Sequence, residues 1–498
     1  MTIGSSVPTG DIDTPTSDAP VADGAAPTPG IRHSLPFLDG VRAIAVLFVF
    51  IRHAWGLSGQ PEIVVRIPWV HTFDLTPYIV MMENGVDLFF VLSGYLLARK
   101  WFLSDYSGKP RPSLKRYAHT RFFRIAPPYW IALPIILLVG LYVPPTLIPH
   151  AAVFGAKGTA AVLAHLVFLQ AIFYPAYGSF GIATPLWTLS VEVVFYIVLP
   201  VLVFAFLRNR WVIALPICLA VTLGWLAYIR WSGNWLVAGE GALGGHWMGV
   251  DSTVLRTFLA KQFPAHLFDF AVGMAVANLD VRRYLGMKDR MTRMLTNRTA
   301  GWISLIVGTI WLLMWMRGLG TMSLEHNYYQ ELPAMRPDIN SARFFFFNEE
   351  WTSGLGFALI IHGAACLAGN VQRVLSVKGL TIFGIMGYSI YLLHMPIIWV
   401  VNQHLYWYHL ASEDAFKHFL QQIAIAGPIT FAAAWIFYKI VEKPFHRIAQ
   451  GKPWHGKDSP RHAHSRSGGA TPSAPPAPSG TRATAAPVTT ESPAGLTP

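Results

Sequence analysis

Long apolar blocks run along this chain, and short polar segments separate them. A helix that crosses a bilayer needs about 20 mostly apolar residues. Eleven blocks come close to that length: 36–56, 79–98, 126–143, 158–175, 185–206, 211–229, 258–279, 299–317, 351–369, 380–401 and 419–440. No tandem or inverted repeat relates them. The pattern predicts an all-α fold, a polytopic membrane helical bundle.

The polar segments predict its orientation. Residues 99–124, 281–298 and 439–466 are strongly basic, and Arg208, Arg210, Arg373 and Lys378 add weaker signals of the same sign. Such excesses of Lys and Arg mark the cytoplasmic side. Segments 99–124 and 207–210 then lie on one side, which requires an even number of crossings between them, yet three blocks intervene. Block 158–175 is short and carries His165 and Gln170, so we read it as a re-entrant or interfacial segment. That leaves about ten transmembrane helices with both termini cytoplasmic, in a multi-pass protein of the plasma (inner) membrane. Segments 57–78, 176–184, 230–257, 318–350 and 402–418 face outward; 230–257 and 318–350 are long and rich in aromatics and His.

Composition agrees with a lipid environment and narrows the partners. Apolar residues make up 53% and charged residues 13%, against about 25% charged in soluble domains. A net charge of +12 would suggest nucleic acid in a soluble protein. Here the cations sit between apolar blocks and form no basic, aromatic-interleaved module, so nucleic acid is not expected as a partner. Cys218 and Cys366 lie within apolar runs, with no Cys or His at zinc spacing, so neither a disulfide nor a metal site is expected. Residues 1–30 and 451–498 are rich in Pro and Ala and carry little apolar surface. They are expected to be disordered tails flanking one membrane domain, 31–450.

Charged residues inside apolar runs cost roughly 2.5–3.5 kcal/mol each on insertion scales and call for a reason. The first block reads LDGVRAIAVLFVFIRHAWG. Arg42 and His53 are eleven positions apart, about 20° from whole turns, so they share one helix face about 16 Å apart. This places a cation at the inner end and a proton acceptor at the outer end. Asp87, Glu192 and His394 are expected at the same outer level as His53, and Arg121 and Arg124 at the inner level with Arg42. Arg121 and Arg124, three apart, share a face. A cationic inner mouth suits a phosphorylated molecule, and a carboxylate with histidines suits acid–base chemistry. His266 and Asp269 could pair with each other and are read as structural. Gly85, Gly94 and Gly387 fit close helix approach. Neither a Gly-x-Ser-x-Gly elbow nor a His-Glu-x-x-His zinc motif occurs.

With these residues the chain resembles the acyltransferase-3 family of membrane acyltransferases over about residues 35–447. LDGVRAIAVLFVFIRHAW is similar to the family's first helix, with its Arg and His at Arg42 and His53. NGVDLFFVLSGYLL resembles the second, carrying Asp87, Phe90, Ser93 and Gly94. RFFR matches the Arg-x-x-Arg element at Arg121 and Arg124, and PLWTLSVEVVFY the segment with Trp187, Ser190 and Glu192. MGYSIYLLHMP matches the late motif at Ser389, Tyr391 and His394, and EKPF closes the domain at Glu442–Phe445.

The resemblance implies transfer of an acyl group, often acetyl, from cytoplasmic acyl-CoA such as acetyl-CoA. The CoA is a donor substrate, and no permanently bound cofactor is expected. The acceptor would be a hydroxyl on a glycan, lipid-linked glycan or secondary metabolite. Many members carry an appended esterase-like domain; after residue 447 only the tail follows here, which leaves open whether a second protein completes the transfer. In this reading Arg42, Arg121 and Arg124 hold the donor's phosphates. His53, oriented by Glu192, is the general base. Asp87, Ser93, Trp187, Ser190, Tyr391 and His394 bind substrate or shape the site. A proton-coupled transporter is the alternative, since it too keeps charged residues inside a bundle.

Overall fold

The computed structural model describes residues 35–67, 71–142, 156–173, 176, 185–242, 258–327, 351–367 and 369–451. The expected disordered tails, apart from Gly451, and all of 243–257 and 328–350 lie outside the described residues.

Among the described residues, each of the eleven apolar blocks falls wholly or partly on helix. In chain order the helices are α1 (Pro36–Leu57), α2 (Thr76–Val80), α3 (Gly85–Tyr106), α4 (Leu114–Tyr142), α5 (Ala156–Leu166), α6 (Trp187–Phe206), α7 (Trp211–Ala242) and α8 (Phe263–Tyr284). Then come α9 (Arg290–Leu295), α10 (Arg298–Asn327), α11 (Trp351–Leu367), α12 (Asn370–Leu375), α13 (Lys378–Ile385), α14 (Gly387–Trp407), α15 (Ala415–Phe437) and α16 (Lys443–Ala449). One small departure from all-α is an antiparallel hairpin between α1 and α2, Val64–Ile67 with His71–Asp74. The helices α7 and α10 also run further than expected, through Ala242 and Asn327, into segments read as loops.

Among the described residues, six helices are long and apolar enough to cross a membrane. A bent pair, α13 with α14, makes a seventh. This does not reach the ten crossings expected from the sequence. Block 158–175 forms only the 11-residue α5 and a turn, too short to span. The outer faces of the long helices are greasy: Ile197 and Val201, one turn apart on α6, are 73% and 72% exposed. Met314 on α10 is 70% exposed. Such surfaces would be costly in water and are at home in hydrocarbon. The chain is a multi-pass membrane protein.

Three local features position the centre of the bundle. First, α3 and α8 pack backbone to backbone. A Cβ on Gly94 would overlap the carbonyl of Phe270, and one on Gly273 that of Val91. Only glycine permits this approach. Second, the chain bends by 74° between α13 and α14, so α14 begins inside the bundle at Gly387. Third, residues Tyr438–Glu442 form a π-helical turn after α15. The extra residue in such a turn redirects side chains, and Glu442 ends up buried, accepting from Ser389 Oγ at 2.5 Å.

Candidate active site

The three arginines singled out in the sequence converge on one cavity. Arg42 comes from α1, and Arg121 and Arg124 from α4. The cavity measures about 110 Å³ and is also lined by Ser93, Thr188, Glu192, Tyr196 and Tyr388. Its position follows from local chemistry. Pro127 and Pro128 have no N–H, so the carbonyls of Phe123 and Arg124 lose their helical donors. Nearby, the Tyr388 hydroxyl donates to the carbonyl of Ile125 at 2.9 Å. Gly387, the first residue of α14, also lines the cavity, and a Cβ there would sit 3.3 Å from Arg42 Cδ. The positive end of a 21-residue helix therefore adds to three guanidiniums.

Not all of this charge is free. Arg42 donates to Asp39 Oδ1 at 2.6 Å. Arg121 is buried, faces the Tyr196 ring at 5.9 Å, and its Nε has no hydrogen-bond partner among the described residues. Glu192 Oε1 accepts from Tyr196 at 2.5 Å and Ser93 at 3.0 Å. The carboxylate offsets part of the arginine charge, while three guanidiniums against one lining carboxylate still favour an anion.

A second cavity of about 150 Å³ adjoins the first. It is lined by Val49, His53, Glu83, Asn84, Val86, Asp87, Pro185, Trp187, Lys261 and Tyr391. Val86 and Tyr391 belong to the walls of both. Tyr391 is held there by Thr188 Oγ1 at 2.6 Å and by donation to the Pro185 carbonyl. His53 Nδ1 lies 2.8 Å from the Val49 carbonyl. A carbonyl can only accept, so Nδ1 carries the proton and Nε2 is left with its lone pair. His394 repeats this arrangement with the Tyr391 carbonyl at 2.7 Å. The two imidazoles face each other with centroids 5.1 Å apart.

Two expectations from the sequence are corrected. Glu192 does not orient His53: it lines the arginine cavity, and no hydrogen bond joins the two among the described residues. Trp187 is at the His53 level, and Glu192 lies about 7.5 Å further along the same helix. Ser190 reaches neither cavity; its buried hydroxyl accepts from the backbone N–H of Ala171 at 3.3 Å. The other candidates are brought together: Ser93 in the first cavity, Asp87 and Trp187 in the second, Tyr391 between them and His394 against His53.

The sequence reading missed Tyr196, Thr188, Tyr388 and Lys261. Tyr196 had a signal, since it follows Glu192 by one helical turn. Lys261, whose Nζ sits 4.6 Å over the Trp187 ring, had none.

Comparison with known proteins bears on this arrangement. The family model of an acyltransferase domain matches residues 35–439. The chain belongs to the acyltransferase-3 family. Within that family's membrane domain, Arg42, Arg121, Arg124 and His53 all fall in the matched region.

Among curated relatives, the chain is 24% identical over 434 residues to the peptidoglycan O-acetyltransferase OatA of Listeria monocytogenes, covering 84% of this chain and 56% of that protein. It is 25% identical over 426 residues to the O-acetyltransferase OatA of Staphylococcus aureus, covering 83% and 57%. A shorter match, 31% over 164 residues, joins it to protein 2 in the picA locus of Rhizobium radiobacter, covering 32% of this chain and 76% of that protein. The chain thus spans a little over half the length of the two O-acetyltransferases. No solved structure matches it significantly.

Proposed function

We propose that this chain moves an acyl group, acetyl in the first instance, from cytoplasmic acyl-CoA to a hydroxyl of a glycan. The observation that carries the proposal is the pair of adjoining cavities, one lined by three arginines and the other by His53, with Tyr391 and Val86 in the shared wall. The relatives named as O-acetyltransferases, one of them for peptidoglycan, favour a glycan acceptor.

In this proposal Arg42, Arg121 and Arg124 bind the donor's phosphates, helped by the start of α14. The thioester end extends past Tyr391 toward His53. The acceptor hydroxyl attacks the thioester carbonyl while His53 Nε2 takes its proton. The C–O bond forms, the C–S bond breaks, and the imidazolium returns the proton to the CoA thiolate. An alcohol and a thioester thus become an ester and a thiol, with no further reactant. Asp87 and Trp187 shape the His53 cavity, and His394 holds the flank of the imidazole. Glu192, held by Ser93 and Tyr196, sets the charge and shape of the arginine cavity. The arginine end faces the cytoplasm, as the basic segments suggest, and both termini lie on that side of the plasma membrane.

The test is thiol release from acetyl-CoA by the purified chain in proteoliposomes with a peptidoglycan-derived glycan as acceptor. Acetyl ester on the glycan is followed by mass spectrometry. Acceptor-dependent release with ester formation supports the proposal. Glycan movement across the bilayer with no thiol release overturns it in favour of transport.

A further inference from the structure

Acyl transfer as proposed above creates a negative charge that none of the residues assigned so far serves. As the acceptor hydroxyl attacks, the thioester carbonyl oxygen becomes an oxyanion. Donors already aimed at such an oxygen are usually the largest single contribution to catalysis.

Few side chains lining the His53 cavity can donate to it. His53 spends Nδ1–H on the Val49 carbonyl at 2.8 Å. Asn84 Nδ2 is directed at Asp87 Oδ2, 2.7 Å away, and at Ser353 Oγ, 3.5 Å away. The Tyr391 hydroxyl donates to the Pro185 carbonyl. Glu83 and Asp87 are carboxylates, which accept when ionised, and Val49, Val86 and Pro185 bring no side-chain donor. Trp187 offers one neutral indole N–H. Lys261 offers an ammonium with three N–H bonds, so it can hold a neighbour and still donate into the cavity.

Charge points the same way. Of the described residues lining this cavity, Lys261 is the one with a permanent positive charge, against the carboxylates of Glu83 and Asp87. Those carboxylates disfavour a developing oxyanion, and the ammonium offsets them. Arg52, beside His53 in the chain, is committed elsewhere: Nε donates to the Val80 carbonyl at 3.1 Å, and the guanidinium pairs with Glu83 at 3.6 Å. Lys261 Nζ sits 4.6 Å over the Trp187 ring, a cation–π contact that steers an otherwise flexible side chain. Trp187 is also the first residue of the 20-residue α6, so the positive end of that helix adds to the ammonium at this wall.

We propose, on the acyl-transfer reading, that Lys261 stabilises the oxyanion of the tetrahedral intermediate, with Trp187 as the residue that positions it. The ammonium donates a hydrogen bond to the former carbonyl oxygen and keeps its own proton. His53 takes the hydroxyl proton as the C–O bond forms. The carbonyl then re-forms as the C–S bond breaks, and the negative charge passes to sulfur. The oxyanion exists only after attack, so this contact strengthens in the transition state and acts on kcat. Base and oxyanion donor come from different segments, α1 and the turn before α8.

The test compares wild type, Lys261→Met and Lys261→Arg as full chains in proteoliposomes, with insertion and Tm checked for each. Thiol release from acetyl-CoA is measured with a neutral chitooligosaccharide and with a muramic-acid glycan, which carries carboxylates. Lys261→Met should lower kcat about 10²- to 10³-fold, at wild-type KM for acetyl-CoA and wild-type Tm. Lys261→Arg keeps a cation and should recover part of the rate. A second readout needs no turnover: binding of a CoA thioether ending in a sulfonate, a tetrahedral anion, beside one ending in a methyl ketone. Lys261→Met should weaken the sulfonate about tenfold more than the ketone. If Lys261→Met does not insert, Lys261→Gln takes its place. Wild-type kcat together with wild-type sulfonate binding overturns the role of Lys261 and leaves acyl transfer standing. A raised KM for the muramic-acid glycan at wild-type kcat overturns it in favour of acceptor recognition. Wild type that releases no thiol with either acceptor removes the acyl-transfer reading itself, and the role of Lys261 with it.

Discussion

At one end of the two-cavity path, three guanidiniums and a helix start surround a space also walled by hydroxyls and a carboxylate. At the other end, two imidazoles with carbonyl-bound Nδ1 atoms face each other across 5.1 Å. The first end gathers positive charge that suits an anion, with Arg42, Arg121 and Arg124 drawn from two helices. The second is built from groups that accept protons. In the proposed reaction this contrast separates binding from chemistry along the bundle by roughly the length between Arg42 and His53, about 16 Å. The proposed acyl-CoA donor has an arm long enough to bridge that distance, which a small donor lacks. Variants at the two ends should therefore move different kinetic parameters.

The largest effect is expected at the histidine end. His53→Ala removes the proton acceptor and should lower kcat for acetyl transfer about 10²- to 10⁴-fold, with the KM for acetyl-CoA little changed. Steady-state thiol release with correctly inserted protein checks this. At the arginine end, Arg121→Ala should raise the donor KM about 10- to 100-fold, the worth of one or two charge-assisted hydrogen bonds. Here kcat at saturation should stay near wild type. A shift of kcat in both variants would erase the contrast.

The reading from sequence fared differently at the two ends. The arginines were legible because helical periodicity places Arg121 beside Arg124, and Arg42 on one face with His53. Glu192 was misplaced, since depth along α6 was judged from the ends of an apolar block rather than from a bound neighbour. Trp187, five residues earlier, turned out to mark the His53 level. Ser190 was grouped with Glu192 by motif, but two residues on a helix is about 200° of rotation, which turns it from Thr188 and the cavity. The bend at Met386 and the π-helical turn at Glu442 left no mark in hydropathy. They create the start of α14 and its carboxylate partner, and both depend on tertiary packing.

A smaller effect is expected from the frame that carries both ends. Gly94→Ala forces a methyl into the Phe270 carbonyl and should cost about 1–3 kcal/mol of stability by overpacking. Thermal unfolding in detergent should show a Tm lower by several degrees. Activity per folded molecule should fall at both ends together, because α3 carries Ser93 to one cavity and Asp87 to the other. The smallest effect is expected at the shared wall. Tyr391→Phe removes the hydroxyl bonded to Thr188 and Pro185, a loss of about 1 kcal/mol per hydrogen bond. A several-fold fall in kcat/KM with wild-type Tm would mark the tyrosine as a positioning residue between the cavities.

The most direct measurement is the full dependence of thiol release on acetyl-CoA concentration for wild type, His53→Ala and Arg121→Ala in the same proteoliposomes. Binding at one end and proton transfer at the other require KM to rise in Arg121→Ala and kcat to fall in His53→Ala, each with the other parameter near wild type. Wild-type curves from His53→Ala, or a loss of donor binding in His53→Ala equal to that in Arg121→Ala, would contradict that division.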